Sequence, residues 1–484
     1  MKKAFTALLL AAAALTAAAS DTIDLSGSWQ LALDRDGTFT TADAMTDSIL
    51  LPGTTDTNRR GDKLADTTET KHLSRPWSYR GRAWYRRTVD IPADWAARPV
   101  VLSLERTKPS QVFVDGRLAG SSNDISTPQE YELGALLTPG RHTLDIMVDN
   151  SAGVPEQLYA SSHAYTEDTQ TNWNGIIGRI TLSTEPWQPS APDSVHPALR
   201  DFRAEGRHLY ANGHRTFLRG RHDACVWPLT GHTAMDLDSW HRYMQVCRDY
   251  GLNHVRFHSW CPPEAAFTAA DEAGIVLQPE LPFWGSFDSA DTTLMTFLRK
   301  EGENILRRYG HHPSFRLFAL GNELWGDIDA MSRLTEHFRS IAPDKLYTLG
   351  SNYYLGYQGV KPGMDFFVTC RTGGEGWGNY GTHTRGSFSF ADAMDGGIIN
   401  HFRPGAARDF SEGCAASPVP VISHETGQFQ IYPDYREIDK YTGALTPCNM
   451  EVFRRRLDAA GMADRAEDFH RASGQWALRL YKQD

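Results

Sequence analysis

The sequence predicts a two-part chain: an all-β jelly-roll sandwich over residues 21–190, then an α/β domain of the (β/α)8 TIM-barrel kind over residues 200–484. Three observations predict it. Short β-rich runs divided by turn signals fill the first part. After residue 200 the hydrophobic period changes, and strand runs alternate with amphipathic helices. The composition, 40% hydrophobic and 22% charged over 484 residues, supplies material for more than one core. It excludes long disorder, collagen and a pure coiled coil. A formal net charge of −10 with no basic cluster argues against nucleic acid as a partner.

The N-terminus reads as an address. Lys2 and Lys3 precede an apolar run from Ala4 to Leu15, and Ala17-Ala18-Ala19 offers a small-residue cleavage site. Residues 1–20 are therefore expected to be a secretory signal peptide, placing the protein in the periplasm or outside the cell. No later stretch approaches 18 consecutive apolar residues, so no membrane insertion is expected. The six cysteines form no Cys-x-x-Cys pair and are read mainly as buried thiols.

In the first part, strand runs fall at Val100–Leu104, Gln111–Val114 and Thr143–Val148, with Asp115-Gly116 and Pro139-Gly140 as turns. The middle run is apolar on both faces, as a strand covered on each side would be. A Pro- and Ser-rich linker, Pro189-Ser190-Ala191-Pro192, follows. Phe217–Arg219 is the next short strand run. Asp238 is expected to cap a helix carrying Trp240, Tyr243, Met244, Cys247 and Tyr250, which Gly251 ends. Strand runs recur at His254–Phe257, Ile275–Leu277, Phe315–Leu320, Leu346–Thr348, Phe366–Val368 and Val419–Ile422. Helices are expected at Glu264–Ala273 and Leu294–Tyr309. That makes seven parallel strands, one short of closure. The barrel is therefore expected to lack its last strand, as a truncated sequence would.

Barrel enzymes carry reactive groups where strands end at the C-terminal face. After the second strand come Arg256, His258 and Trp260; after the third, Glu280 and Trp284; after the fourth, Asn322, Glu323 and Trp325. Arg371 follows the sixth and Glu425 the seventh. Glu323 and Glu425 lie on opposite sides of a small mouth, and such a pair suits glycoside hydrolysis. Strand alternation puts Ser423 and Glu425 on one face and turns His424 away. The rings of Trp260, Trp284, Trp325 and Trp377 offer apolar faces that suit a pyranose. Gly376-x-Gly378-x-x-Gly381 opens no helix, so no nucleotide cofactor is expected. His311 and His312, just ahead of the strand that leads to Glu323, are read as structural.

Several stretches resemble glycoside hydrolase family 2. They are Leu51-Pro52-Gly53-Thr54-Thr55, Ala83-Trp84-Tyr85-Arg86-Arg87, Asn212-Gly213-His214-Arg215 through Leu218-Arg219-Gly220, and His312-Pro313-Ser314 leading to Leu320-Gly321-Asn322-Glu323. The resemblance implies a retaining exo-β-glycosidase acting on oligo- or polysaccharide, β-galactosidase-like or specific for another family glycone such as glucuronate; the missing last strand leaves as the alternative a truncated relative that is inactive or only binds carbohydrate. It implies Glu323 as acid/base, Glu425 as nucleophile and Asn322 as partner of the sugar 2-hydroxyl, with Arg371 or Arg385 available to a uronate carboxylate. The chain departs from the family in lacking an immunoglobulin-like domain between its two parts. It has Arg256-Phe257-His258-Ser259 where many relatives have Arg-x-Ser-His. The metal-binding carboxylate and histidine of some β-galactosidases are not found near Pro282-Phe283-Trp284-Gly285, so no metal is expected.

Overall fold

A computed structural model describes residues 22–64, 68–185, 187–189, 194–351, 355, 358–369, 371–372, 382–383, 410–425 and 431–483. Residues 371–372, 382–383 and 480–483 are described by their backbone alone. The expected signal peptide, Trp377, the glycine pattern at 376–381, Arg385 and most of the expected linker lie outside the described residues. No described helix is long and apolar enough to cross a membrane.

Two antiparallel sheets make up the first part. The six-stranded sheet runs in the order Arg117–Ser122, Ser110–Val114, Gly140–Asp149, Arg82–Ile91, Gly27–Asp34, Asp47–Leu51. The other sheet runs Thr22–Asp24, Gly175–Ser183, Val101–Thr107, Gln129–Glu132, with Gly53–Thr54 added to the second of these. One core lies between them. Leu31, Tyr85, Val112, Val114 and Ile146 of the first sheet meet Leu102, Leu104, Tyr131, Ile176 and Ile180 of the second. The expected double-sided burial at residues 111–114 has a cause: Phe113 turns to the opposite face, against Trp84 at 5.3 Å, where Phe39 and Met45 help cover it.

Among the described residues, the second part holds a main series of seven parallel strands in chain order. Gly220–Asp223, His254–Phe257 and Val276–Gln278 pair in one sheet. Leu317–Ala319 pairs with Leu346–Thr348, and Phe367–Thr369 with Val421–Ser423. Bridges Leu277–Phe315, Glu280–Ala319 and Ser351–Val368 join the groups in sequence. The second, third, fourth and sixth strands are buried throughout, whereas Gly220, Arg221 and Ser423 at the two ends of the series are exposed. Among the described residues no strand pairs the seventh with the first.

Three findings correct the sequence reading. The first parallel strand is Gly220–Asp223 and not Phe217–Arg219, whose Phe217 is 75% exposed. Asp236, not Asp238, caps the helix Leu237–Asp249 by accepting from the Ser239 amide at 2.8 Å. A three-stranded sheet, Phe202–Glu205, His208–Ala211 and His214–Thr216, was not expected. Its Phe202 and Leu209 pack on Val276, Leu317, Phe366 and Val368. That plug covers the N-terminal ends of the parallel strands and leaves their C-terminal ends as the open mouth.

The two parts meet through buried polar contacts. Arg106 donates to the carbonyls of Ser126, Cys261 and Pro262. Glu301, on the helix Thr292–Tyr309, accepts from the amides of Ile125 at 3.0 Å and Ser126 at 3.2 Å. The short helix Gln157–Ser161 then carries the sandwich chain to the mouth, where the Ser161 hydroxyl donates to the Trp284 carbonyl.

Candidate active site

Arg256 organises the mouth. Its Nε donates to Glu280 Oε1 at 2.7 Å, one Nη to Asn322 Oδ1 at 2.7 Å and the other to Glu425 Oε1 at 3.3 Å. Glu280 is fully buried and also accepts from the Ser259 amide at 2.8 Å. One guanidinium thus ties together the ends of the second, third, fourth and seventh strands, with the forked, charge-assisted geometry that Arg provides.

Both candidate carboxylates sit on unusual backbone. Glu323 has φ 40° and Glu425 φ 48°, left-handed values that are uncommon for residues other than glycine. Ahead of Glu323 the chain turns at Gly321, φ 142°, where a Cβ would lie 2.2 Å from the Phe283 carbonyl oxygen. The turn therefore requires glycine. Beyond it Asn322–Gly326 pairs in parallel with Trp284–Phe287, extending the fourth strand into the mouth.

Alternation in the seventh strand runs opposite to that expected, and the left-handed step at Glu425 breaks it after His424. Ile422 packs inward, Ser423 is exposed, and buried His424 faces the site and does not turn away. Its Nε2 lies 3.3 Å from Glu323 Oε1 and 3.6 Å from Glu425 Oε1. The two carboxylates thus face each other across a gap spanned by one imidazole edge.

Burial alone would raise the Glu425 carboxyl. The His424 imidazole, the Arg256 guanidinium and His222 overcome it and hold the group down to about 2. Burial also lowers three neighbouring imidazoles: His163 to about 4, His222 to about 3, and His258 well below its ordinary value. These rings are neutral near pH 7, which leaves Arg256 as the permanent positive charge on Glu425. His258 and His163 stack with centroids 4.1 Å apart, and Trp284 stands edge-on to His258 at 5.1 Å.

The structure brings together Glu323, Glu425, Asn322, Arg256 and His258, whose Nε2 is 3.7 Å from Glu425. Asn322 is buried, and its Nδ2 makes no hydrogen bond among the described residues, leaving a donor for a ligand. Trp284 lines the wall, and Trp325, 42% exposed, stands beyond it on the extended strand. Trp260 is corrected. At 2% exposure it belongs to the core, its indole N–H donating to the Asp223 carbonyl, so it presents no ring face to a sugar. Arg371 lies in a short strand paired with Thr382–His383, and its side chain is outside the described residues.

Sequence reasoning missed His163, His222 and the inward His424. A signal existed for His222, which sits near the end of the first strand, but that strand had been placed three residues early. His163 arrives from the sandwich and carried none. His222, His258 and Glu425 each offer a ligand atom within 4.8 Å of the others. They could hold a cation, although Arg256 beside Glu425 opposes one.

This arrangement can be set beside solved structures. A β-glucuronidase of Faecalibacterium prausnitzii aligns over 91% of this chain and 89% of its own, with TM-score 0.59 and 18% identity. A GH2 β-galacturonidase of Eisenbergiella tayi bound to galacturonate covers 69% of this chain and 72% of its own, with TM-score 0.52 and 16% identity. The chain has the fold of glycoside hydrolase family 2. A β-glucuronidase of Bacteroides uniformis shares that fold at TM-score 0.57 and 15% identity, over 74% of this chain and 56% of its own. In sequence, a Formosa agariphila protein carrying the name "Putative beta-glucuronidase" is 30% identical over 150 residues. That match spans 29% of this chain and 18% of the relative. No protein-family model matches the chain.

Proposed function

We propose that this chain is a retaining exo-β-glycosidase exported by its first 20 residues to the periplasm or beyond, with a jelly-roll domain over 21–190 and a barrel domain over 200–484. The observation that carries the reading is that Glu323 and Glu425 both lie beside His424 Nε2, at 3.3 and 3.6 Å, with Arg256 joining Glu425 to Asn322. A retaining pair needs carboxyls about 5–5.5 Å apart, close enough for one to reach the anomeric carbon while the other protonates the leaving oxygen.

Glu425, kept ionised by Arg256, attacks the anomeric carbon. Glu323 gives its proton to the departing oxygen, and a glycosyl ester forms on Glu425. Glu323 then takes a proton from water, whose oxygen attacks the same carbon and frees Glu425. Asn322 Nδ2 donates to the 2-hydroxyl. The solved relatives named here act on glucuronides and galacturonides, which favours a uronate glycone over galactose.

The test is turnover of nitrophenyl β-galactoside, β-glucuronide, β-galacturonide and β-glucoside by the chain and by Glu425→Gln. The expected result is hydrolysis of one uronide, lost in the variant. Hydrolysis retained in Glu425→Gln would overturn the mechanism, and hydrolysis of the galactoside alone would overturn the glycone.

A further inference from the structure

Away from the Glu425 site, three potential ligands meet between the helix Glu264–Ala273 and the turn that leads into the fourth strand. His312 is 3% exposed. Its Nδ1 lies 2.6 Å from Asp271 Oδ2, while Asp271 Oδ1 accepts from the Ser314 amide at 2.7 Å. With Nδ1 held by a carboxylate, the lone pair of the ring sits on Nε2. That atom is buried and makes no hydrogen bond, and neither does His311 Nδ1. Glu264, His311 and His312 each place one ligand atom within 4.8 Å of the other two.

An imidazole fixed through one nitrogen by a carboxylate, with the other nitrogen bare and two more potential ligands nearby, is the arrangement metal-binding histidines have. Two imidazoles and a carboxylate match a borderline cation of the zinc class better than magnesium or calcium. Bonds of about 2.0–2.2 Å in a tetrahedral site put ligand atoms roughly 3.4 Å apart, so small side-chain rotations would close the cluster. One cation stands against this: Arg308, whose Nη2 is 3.5 Å from Glu264. It is also held by Glu130 at 3.2 Å and lies over the Trp187 ring at 3.6 Å, so it is anchored from the far side. A carboxylate has two oxygens and can serve both.

We propose that Glu264, His311 and His312 bind one divalent transition-metal ion of the zinc class, which clips the Glu264–Ala273 helix to the entrance of the fourth strand. Three protein ligands leave a fourth position for solvent. The site is structural in this proposal and independent of sugar hydrolysis.

The test uses the full chain without an affinity tag, stripped with EDTA and titrated with cobalt(II) as a visible probe. One equivalent is expected to bind with the intense absorption of a four-coordinate site, to be displaced by zinc, and to raise the melting temperature. His311→Leu and Glu264→Gln should each weaken cobalt binding by about tenfold or more while retaining a cooperative melt without metal. His222→Leu, which alters the cluster beside Glu425, should leave the absorption in place. No such absorption, an unchanged titration in His311→Leu, or loss in His222→Leu instead would overturn the proposal. None of these readouts depends on turnover.

Discussion

Glu425 is where one residue's environment is most open to measurement. Its folded-state carboxyl, held to about 2, lies below the ordinary glutamate value of about 4.3. The ionised form is the favoured one. The group therefore stabilises the fold above the ordinary value, and that contribution disappears as pH falls through about 2. On the proposed mechanism the acidic limb of kcat/KM is expected below pH 4, because Glu425 stays charged. In Arg256→Gln the limb should move to higher pH, a shift that general damage to the site would not produce. Asn322→Ala should lower kcat/KM on the order of a hundredfold if its Nδ2 serves the 2-hydroxyl, since such bonds strengthen in the transition state. An unchanged value would remove Asn322 from the mechanism. The identities of Glu323, Glu425 and Asn322 were legible because strand ends are legible. His424 was not, because the alternation was phased on Glu425, which left-handed backbone at φ 48° takes out of step with the strand before it.

Among elements, the joint between the helix Thr292–Tyr309 and the sandwich is expected to be pH-dependent. Burial raises the Glu301 carboxyl to about 7, assisted by Asp124 and opposed by the Ser126 and Ile125 amides. Here the protonated form is favoured in the folded state. Stability should therefore decline as pH rises from the ordinary glutamate value to about 7, by on the order of 3 kcal/mol over that window. Glu301→Gln should flatten the decline in a melting series from pH 5 to 8; an identical slope would exclude this residue as its source. Helix ends were read well where a glycine stop is local, and starts less well, since the cap of Leu237–Asp249 was placed two residues late. Gly274, left-handed at φ 75°, ends Glu264–Ala273 at the predicted residue. The first strand was misplaced because Phe217–Arg219 is more apolar than Gly220–Asp223. Burial inside a parallel series does not require an apolar run when the strand lies at its end. The plug sheet was missed for a similar reason: only one side chain in each of its first two strands is fully buried.

Taken whole, the molecule is one site built by two folding units. The sandwich sends His163 to stack on His258 and fastens itself through Arg106, whose three carbonyl partners are buried. Calorimetry is expected to show the two parts melting together. Arg106→Met, which removes the charged donor from all three carbonyls and leaves that of Cys261 unpaired at a cost of about 1–3 kcal/mol, should lower or split the transition. Two well-separated transitions in the unaltered chain would contradict this coupling. No local pattern announces which sandwich loop will cross to the mouth, so this level was illegible in the sequence. The series of parallel strands among the described residues was legible, although its first member was misplaced. The central claim is that Glu425 forms a glycosyl ester. The most direct measurement is peptide mass spectrometry after incubation with an activated 2-deoxy-2-fluoro β-glycoside of the sugar that the chain hydrolyses. One label per chain on Glu425 is the predicted result; turnover with no label, or a label on another residue, would contradict it.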